Sequence, residues 1–315
     1  MGRTLKPPLD LVLAWQTDAY PHGVRRDHTL LILATVFSAI AFIFVLVRLT
    51  ARLGIQRNPG LDDLFIVPAL ISTIGMNVCI AYTSRHGFDR HVWDLTPQMA
   101  VDLRKFTFSI SFLYIWGTGL TKISVLFFYR RLTGSLPMPF LYAVYASLFY
   151  VSAYLVTFTI SLGLTCNPVY AYWKQVDFIW AAANATKFKC IDEGATLIAT
   201  NAISITQDFL ACTMPALLLW NLQVSKRQKI AMSALLGVSI FPCVAVILRF
   251  IYLYRAAYTT YDIPWEMFPS WIWTLIEANV GLLCASVPAL RVFFKRTLQI
   301  SFQRSRSEEK DSGPM

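Results

Sequence analysis

The chain has 315 residues, of which 56% are hydrophobic and 15% charged, against about 25% charged for an average soluble domain. That composition excludes a disordered or collagenous chain and leaves too little charge to cover a soluble surface. A net charge of +10 raises a nucleic-acid reading, but the basic residues stand beside apolar runs, where anionic lipid headgroups are their partners; a lipid bilayer is expected and nucleic acid is not.

Residues 1–28 hold Arg3, Lys6, Pro7 and Pro8 around the short stretch LDLVLAW. They are expected to form an extracellular or lumenal tail without a cleavable signal peptide, and Lys6 stands where N-myristoylation would need Ser or Thr. The region 29–292 then reads as a transmembrane domain. Residues 29–47 and 64–84 are free of charge, and about 20 apolar residues cross a bilayer as helix. The following runs are broken once each, by Lys122, Asp208, Arg249 and Glu277, apart from one uncharged stretch between Leu132 and Trp173. Seven spans result, at about 29–50, 63–84, 106–130, 140–164, 195–220, 230–254 and 268–290, followed by a basic cytosolic tail over 293–315. The expected fold is an all-α bundle of seven transmembrane helices; the runs are continuous rather than alternating, which excludes a β-barrel. Such a chain is a multi-pass protein of the plasma membrane or an endomembrane.

Orientation follows from the basic residues. Connections after the first, third and fifth spans carry Arg48, Arg52 and Arg57; Arg130 and Arg131; and Lys226, Arg227 and Lys229. Those on the other side mix signs. The N-terminus is therefore expected outside and the C-terminus in the cytosol.

Cys79, Cys212, Cys243 and Cys284 fall within spans, where a thiol packs as a small apolar residue. Cys166 and Cys190 flank the longest connection, on the side that permits disulfides, and a bridge there would stabilise by about 3 kcal/mol on the loop-entropy model. Asn184 in Asn184-Ala185-Thr186 is a glycosylation acceptor if the loop is lumenal.

Ionisable groups at membrane depth are costly and become the first functional candidates. With a rise of about 1.5 Å per residue, Lys122 and Asp208 lie roughly 12 and 18 Å from the cytosolic ends of their helices, and Arg249 and Glu277 roughly 9 and 13 Å below the outer ends. Two ion pairs are expected, one in each half, with Asn201 and Asn279 as polar neighbours. Structural pairing or snorkelling accounts for the same residues without any function. Asp62 and Asp63 open the second helix, where the macrodipole favours them; Arg48, Arg52 or Arg130 are expected as partners. No metal site is expected.

Several segments together resemble the fungal rhodopsin-like seven-helix membrane proteins, a group that includes receptor-like proteins and membrane proteins of secondary-metabolite clusters. They are Gly60-Leu61-Asp62-Asp63; Gly87-Phe88-Asp89-Arg90-His91-Val92-Trp93-Asp94-Leu95; Leu120-Thr121-Lys122-Ile123-Ser124 through Tyr129-Arg130-Arg131; Cys166-Asn167-Pro168 with Trp173; Cys190-Ile191-Asp192; and Asp208 with Pro215 and Leu219-Trp220-Asn221-Leu222-Gln223. The resemblance spans about residues 30–295. It implies an integral membrane protein, receptor-like or accessory, without assigned chemistry. The Cys-rich extracellular domain that some receptor-like members carry before the first helix is not expected from residues 1–28. A retinal Schiff base needs a lysine deep in the last helix, and 268–290 contains none, so neither retinal nor another cofactor is expected.

Three functions compete. The first is a small apolar ligand bound within an aromatic bundle containing a few buried charges. The second is a membrane-embedded cyclase or isomerase acting on a lipid-soluble intermediate, with Glu277 or Asp208 as the acid and Trp116, Trp271 and Trp273 as faces for a carbocation; here each acid has a cationic neighbour that opposes the role. A transporter would show internal repeats, and Pro68, Pro215 and Pro242 break spans without any repeat between halves.

Overall fold

The computed structural model describes residues 7–15, 20, 22–55, 57–132, 138–221 and 226–311, with side chains placed except at 9, 13, 55, 132, 178, 215–221, 226–239 and 288–311. A short helix α1 (Leu9–Ala14) precedes α2 (Thr29–Leu49), which runs into a π-helical turn (Thr50–Ile55). Then come α3 (Leu61–Thr83), α4 (Pro97–Leu132) and α5 (Met138–Gly163). The connection after α5 holds two small helices, α6 (Ala171–Lys174) and α7 (Phe178–Ala183), between the paired strands β1 (Cys166–Asn167) and β2 (Lys189–Cys190). Three long helices complete the chain: α8 (Glu193–Asn221), α9 (Lys226–Tyr258) and α10 (Ile263–Asp311).

Among the described residues, six stretches are long and apolar enough to cross a membrane: Thr29–Gly54, Leu61–Thr83, Pro97–Arg131, Met138–Gly163, Ile240–Tyr258 and Ile263–Val287. The stretch expected at 195–220 is helical as α8, with Asn201, Gln207 and Asp208 in its middle; its side chains beyond Met214 lie outside the described residues. Helix α4 starts at Pro97, well before the expected 106, because Pro is suited to a first helical position and the charges just before the apolar run have partners, Arg104 in Glu193 and Lys105 in Asp102. At the other end, the expected tail is a continuation of α10, whose backbone stays helical to Asp311.

The outer surface is apolar in stripes. Leu64, Ile71 and Val78 on α3, and Tyr142, Phe149 and Val156 on α5, recur every seven residues and are each at least 60% exposed, a pattern that suits hydrocarbon and not water. Small residues let the inner faces close up. A Cβ at Gly117 would stand 2.9 Å from the Thr73 hydroxyl of α3, and one at Gly119 would strike Leu155 of α5. Gly87 turns the chain out of α3 at φ +138, a conformation that glycine adopts without steric cost.

One end of the bundle is closed by charge. The buried Arg48 of α2 donates from Nη2 to Asp62 at 2.9 Å and from Nε to Asp63 at 3.1 Å, while its third nitrogen donates to the Ala285 carbonyl of α10. Arg52 lies 3.7 Å and Arg131 3.5 Å from Asp62, and Ser124 of α4 donates to the Asp62 carbonyl at 2.6 Å. Three helices, α2, α4 and α10, are thereby tied to the first turn of α3. Arg48 and Arg52 act as expected and Arg131 joins them, while the Arg130 guanidinium lies over Tyr145 at 5.6 Å.

Removing one partner of a buried ion pair costs about 3–5 kcal/mol because the other charge stays uncompensated. Arg48→Ala is accordingly expected to lower the unfolding temperature in detergent sharply, and more than Arg131→Ala, whose side chain is 29% exposed. Equal melting of the two variants would contradict the clasp.

Candidate functional site

Helical periodicity brings the buried polar groups together. On α4, Tyr114, Thr118 and Lys122 stand four residues apart; on α8, Asn201, Ser204 and Asp208 follow the three- and four-residue steps of one face. Arg249 of α9 and Glu277 of α10 face them. Lys122 Nζ lies 2.9 Å from Asp208 Oδ1 and donates to the Ser204 hydroxyl at 3.2 Å and to Gln207 Oε1 at 3.4 Å. Arg249 Nη1 lies 3.1 Å from Glu277 Oε2, and its Nε donates to Asn201 Oδ1 at 2.8 Å.

The two ion pairs form one network. Tyr114 donates to Glu277 Oε1 at 2.5 Å, and its oxygen lies 3.3 Å from the Ser204 hydroxyl that Lys122 also reaches. The Arg249 guanidinium stacks over the Tyr114 ring at 4.1 Å, a cation–π contact that favours charge in a desolvated site. Asp208, Lys122, Ser204, Tyr114, Glu277, Arg249 and Asn201 thus run in one chain of contacts, with two positive and two negative side chains. The expectation of two separate pairs missed the link because Tyr114 and Ser204 carry no charge to mark them; their helical registry with Lys122 and Asp208 is the signal that finds them. Asn279 lies elsewhere: two positions beyond Glu277, it exchanges hydrogen bonds with Asn77 of α3 at 3.1 and 3.3 Å.

Among the described residues, three cavities lie along the bundle, two of them lined by members of this network. One of about 390 Å³ lies between α1, the 88–97 turn, α4, α8, α9 and α10, with walls that include Trp15, Trp93, Leu103 and Trp271. Below it, about 90 Å³ are bounded by Tyr114, Asn201, Arg249 and Thr274; the two share Glu193, Leu197, Leu253, Met267 and Trp271 as walls. On the far side, about 80 Å³ border Lys122, Asp208, Glu277 and Tyr129. Of the three tryptophans considered as cation faces, Trp271 lines the two upper cavities, whereas Trp116 and Trp273 line none of the three.

A further, half-buried pair borders the larger cavity. Arg104 grips Glu193 with two bonds of 2.8 and 2.6 Å, and Tyr172 donates to the same carboxylate at 3.0 Å. Burial pushes the Tyr172 phenol above its ordinary range, which keeps it a donor. Cys166 and Cys190 form a disulfide that pins the 165–194 connection beside this pair, and Asn184 ends α7 by donating to the Trp180 carbonyl at 3.0 Å.

The mouth is covered by the N-terminal segment. Its anchor is a stack in which the His91 ring lies between Trp93 at 4.4 Å and Trp265 at 3.8 Å, with the Arg26 guanidinium over the other face of this cluster, 4.0 Å from the Trp265 ring centre. His91 Nδ1 is 2.5 Å from Asp262, and the Val92 amide donates to the same carboxylate at 2.9 Å. Trp15 and Tyr20 pack on Trp93 at 6.1 and 5.0 Å. Asp94 accepts from the Gly23 amide at 2.9 Å and pairs with His22 at 2.9 Å.

A family model described as the fungal rhodopsin domain matches residues 47–296. A membrane protein of the SAT4 family from Emericella nidulans is 25% identical over 248 residues, which cover 78% of this chain and 57% of that protein; the chain thus spans little more than half of that relative. The wortmanamides biosynthesis cluster protein C of Talaromyces wortmannii is 22% identical over 82% of this chain and 68% of its own length. The fugralins biosynthesis cluster protein 2 of Gibberella zeae is 22% identical over 94% and 71% respectively. No solved structure matches.

Two outcomes are expected. Partial burial raises the Asp94 carboxyl, but the His22 and Gly23 bonds outweigh it and hold the group below its ordinary value; a depressed carboxylate contributes stability present above about pH 3.9 and lost as pH falls through the folded value. Asp94→Asn should therefore speed tryptic cleavage after Arg25 and Arg26 at neutral pH, and unchanged cleavage would contradict the anchoring. Within the network, Lys122→Met or Asp208→Leu alone should destabilise by about 3–5 kcal/mol, and the double variant by clearly less, since it leaves no charge unpaired; thermal unfolding of the four proteins measures this, and additive losses would refute the pairing.

Proposed function

The chain belongs to the fungal rhodopsin domain family and is a multi-pass membrane protein; from that premise we propose that it is a receptor-like or accessory protein that holds a small, mainly apolar molecule in the covered cavity of the bundle. The single observation that carries the reading is the cavity of about 390 Å³ under the N-terminal segment. Its volume falls within the roughly 300–1,000 Å³ of small-molecule sites, and its aromatic and aliphatic walls with one polar pair match their usual makeup. In the reading, the apolar body of the ligand lies against Trp93, Leu103 and Trp271, and a polar end approaches Arg104 and Glu193.

The topology belongs to the same proposal: seven helices cross the membrane, α8 being the one that carries polar residues inward, with the N-terminus and the disulfide-bearing connection outside and the C-terminus in the cytosol. Support comes from the Cys166–Cys190 bridge, which suits an oxidising compartment, and from the arginines at the Asp62 end of the bundle. Relatives named for wortmanamides and fugralins biosynthesis clusters support a role beside secondary metabolism, the ligand being a metabolite or intermediate. The cyclase alternative gains little from the geometry, since Glu277 and Asp208 are each engaged by a cation and Trp116 and Trp273 line none of the three cavities.

Binding to the folded state alone stabilises it, by about 2.7 kcal/mol at a hundred times the Kd. Nanodisc-embedded protein is expected to melt higher in the presence of one or more fractions of the producing fungus's lipid-soluble extract. Ala100→Phe, which fills the cavity wall, should melt normally and show no shift. If no fraction shifts the wild type, or Ala100→Phe responds equally, the site is not this cavity.

A further inference from the structure

Two of the cysteines outside the Cys166–Cys190 bridge meet inside the bundle. Cys212 of α8 and Cys243 of α9 place their sulfurs 2.9 Å apart, closer than two thiols rest in van der Waals contact and a short movement from the roughly 2.05 Å of a disulfide. Both border the charge network. Cys212 stands one turn beyond Asp208 on the same face of α8 and shares with Lys122, Asp208 and Glu277 the walls of the 80 Å³ cavity. Cys243 follows Pro242, another wall residue of that cavity. A third thiol, Cys284 of α10, lines it as well.

We propose that Cys212 and Cys243 are an oxidisable pair whose disulfide staples α8 to α9 beside the buried ion pairs. The oxidant is hydrogen peroxide, a small neutral molecule that a cavity with room for a few waters admits; glutathione, larger and charged, is kept out. One sulfur, as thiolate, attacks a peroxide oxygen, the O–O bond breaks, and a sulfenic acid and one water result once the displaced hydroxide takes up the thiol's proton. The second sulfur attacks the sulfenic sulfur, the S–S bond forms, and the sulfenic oxygen leaves as a second water with the second thiol's proton. Two thiols and one peroxide become one disulfide and two waters, and two electrons pass from sulfur to oxygen. The juxtaposition of the sulfurs supplies the high effective concentration that makes the second step fast. Since α8 carries Asp208 and α9 carries Arg249, the bond fixes the separation of two helices that each contribute a charge to the network. This site does not depend on the ligand reading.

The test uses the full chain in nanodiscs, treated with either a reductant or hydrogen peroxide, blocked with N-ethylmaleimide, cleaved at methionine with cyanogen bromide and weighed by mass spectrometry. Met214 and Met232 both lie between the two cysteines, so a disulfide is the one covalent link between the Pro139–Met214 and Ser233–Met267 fragments. Peroxide should convert the larger part of these fragments into a joined species two mass units below their sum, which dithiothreitol separates. Cys284→Ser, which leaves the pair intact, should give the same species, and Cys243→Ser should give none. Cys212 and Cys243 both carrying N-ethylmaleimide after peroxide, or either joined instead to the Phe268–Met315 fragment that holds Cys284, overturns the proposal. The wild type and Cys284→Ser decide the matter even where Cys243→Ser does not fold.

Discussion

Four charged side chains lie in the interior of a bundle whose outer surface is apolar, and the packing of α4, α8, α9 and α10 depends on their neutralising one another. Each ion removed from water costs several kcal/mol, a cost met by well-aligned partners and additional hydrogen bonds. Lys122 and Asp208, and Arg249 and Glu277, supply the partners; Ser204, Gln207, Asn201 and Tyr114 supply the bonds. Tyr114 matters most among the neutral residues, because its hydroxyl meets Glu277 and Ser204 while its ring faces the Arg249 guanidinium. Fixing α4 against both α8 and α10 in this way leaves space above and below, and the cavities occupy it.

The two ends of the bundle are closed by different chemistry. At one, Arg48 and two neighbouring arginines hold the first turn of α3 through Asp62 and Asp63, and the contacts are buried and ionic. At the other, aromatic stacking around His91 and hydrogen bonds at the partly exposed Asp94 hold a short segment over the cavity of about 390 Å³. Exposed contacts are worth less than buried ones, so the covered mouth is the weaker closure.

Much of this was legible in the chain. Apolar runs and their single charged interruptions placed the long helices and singled out Lys122, Asp208, Arg249 and Glu277, because charge in an apolar run is visible in any window. The Cys166 and Cys190 spacing pointed to the bridge for a similar reason. Helix ends were less legible: Arg104 reads as a boundary until Glu193, 89 residues away, is seen to hold it, and a composition window has no access to a distant partner. That Arg131 also reaches Asp62 is a matter of helical phase, too fine for charge counting. The covered mouth was hidden altogether, since Arg26, His91 with Trp93, and Trp265 come from the N-terminal segment, the connection after α3 and the first turn of α10, whose meeting depends on the folded chain.

The central claim is that the two ion pairs act as one unit through Ser204 and Tyr114. Its most direct test is the coupling energy between residues of different pairs, taken from thermal unfolding of Asp208→Leu, Arg249→Leu and the double variant in identical nanodiscs. Side chains in one network show interaction energies of about 0.5–3 kcal/mol, whereas independent sites add to within roughly 0.3–0.5 kcal/mol. The account predicts a coupling of about 1 kcal/mol or more that falls when Tyr114→Phe is introduced into all four proteins; strict additivity with Tyr114 present would contradict it.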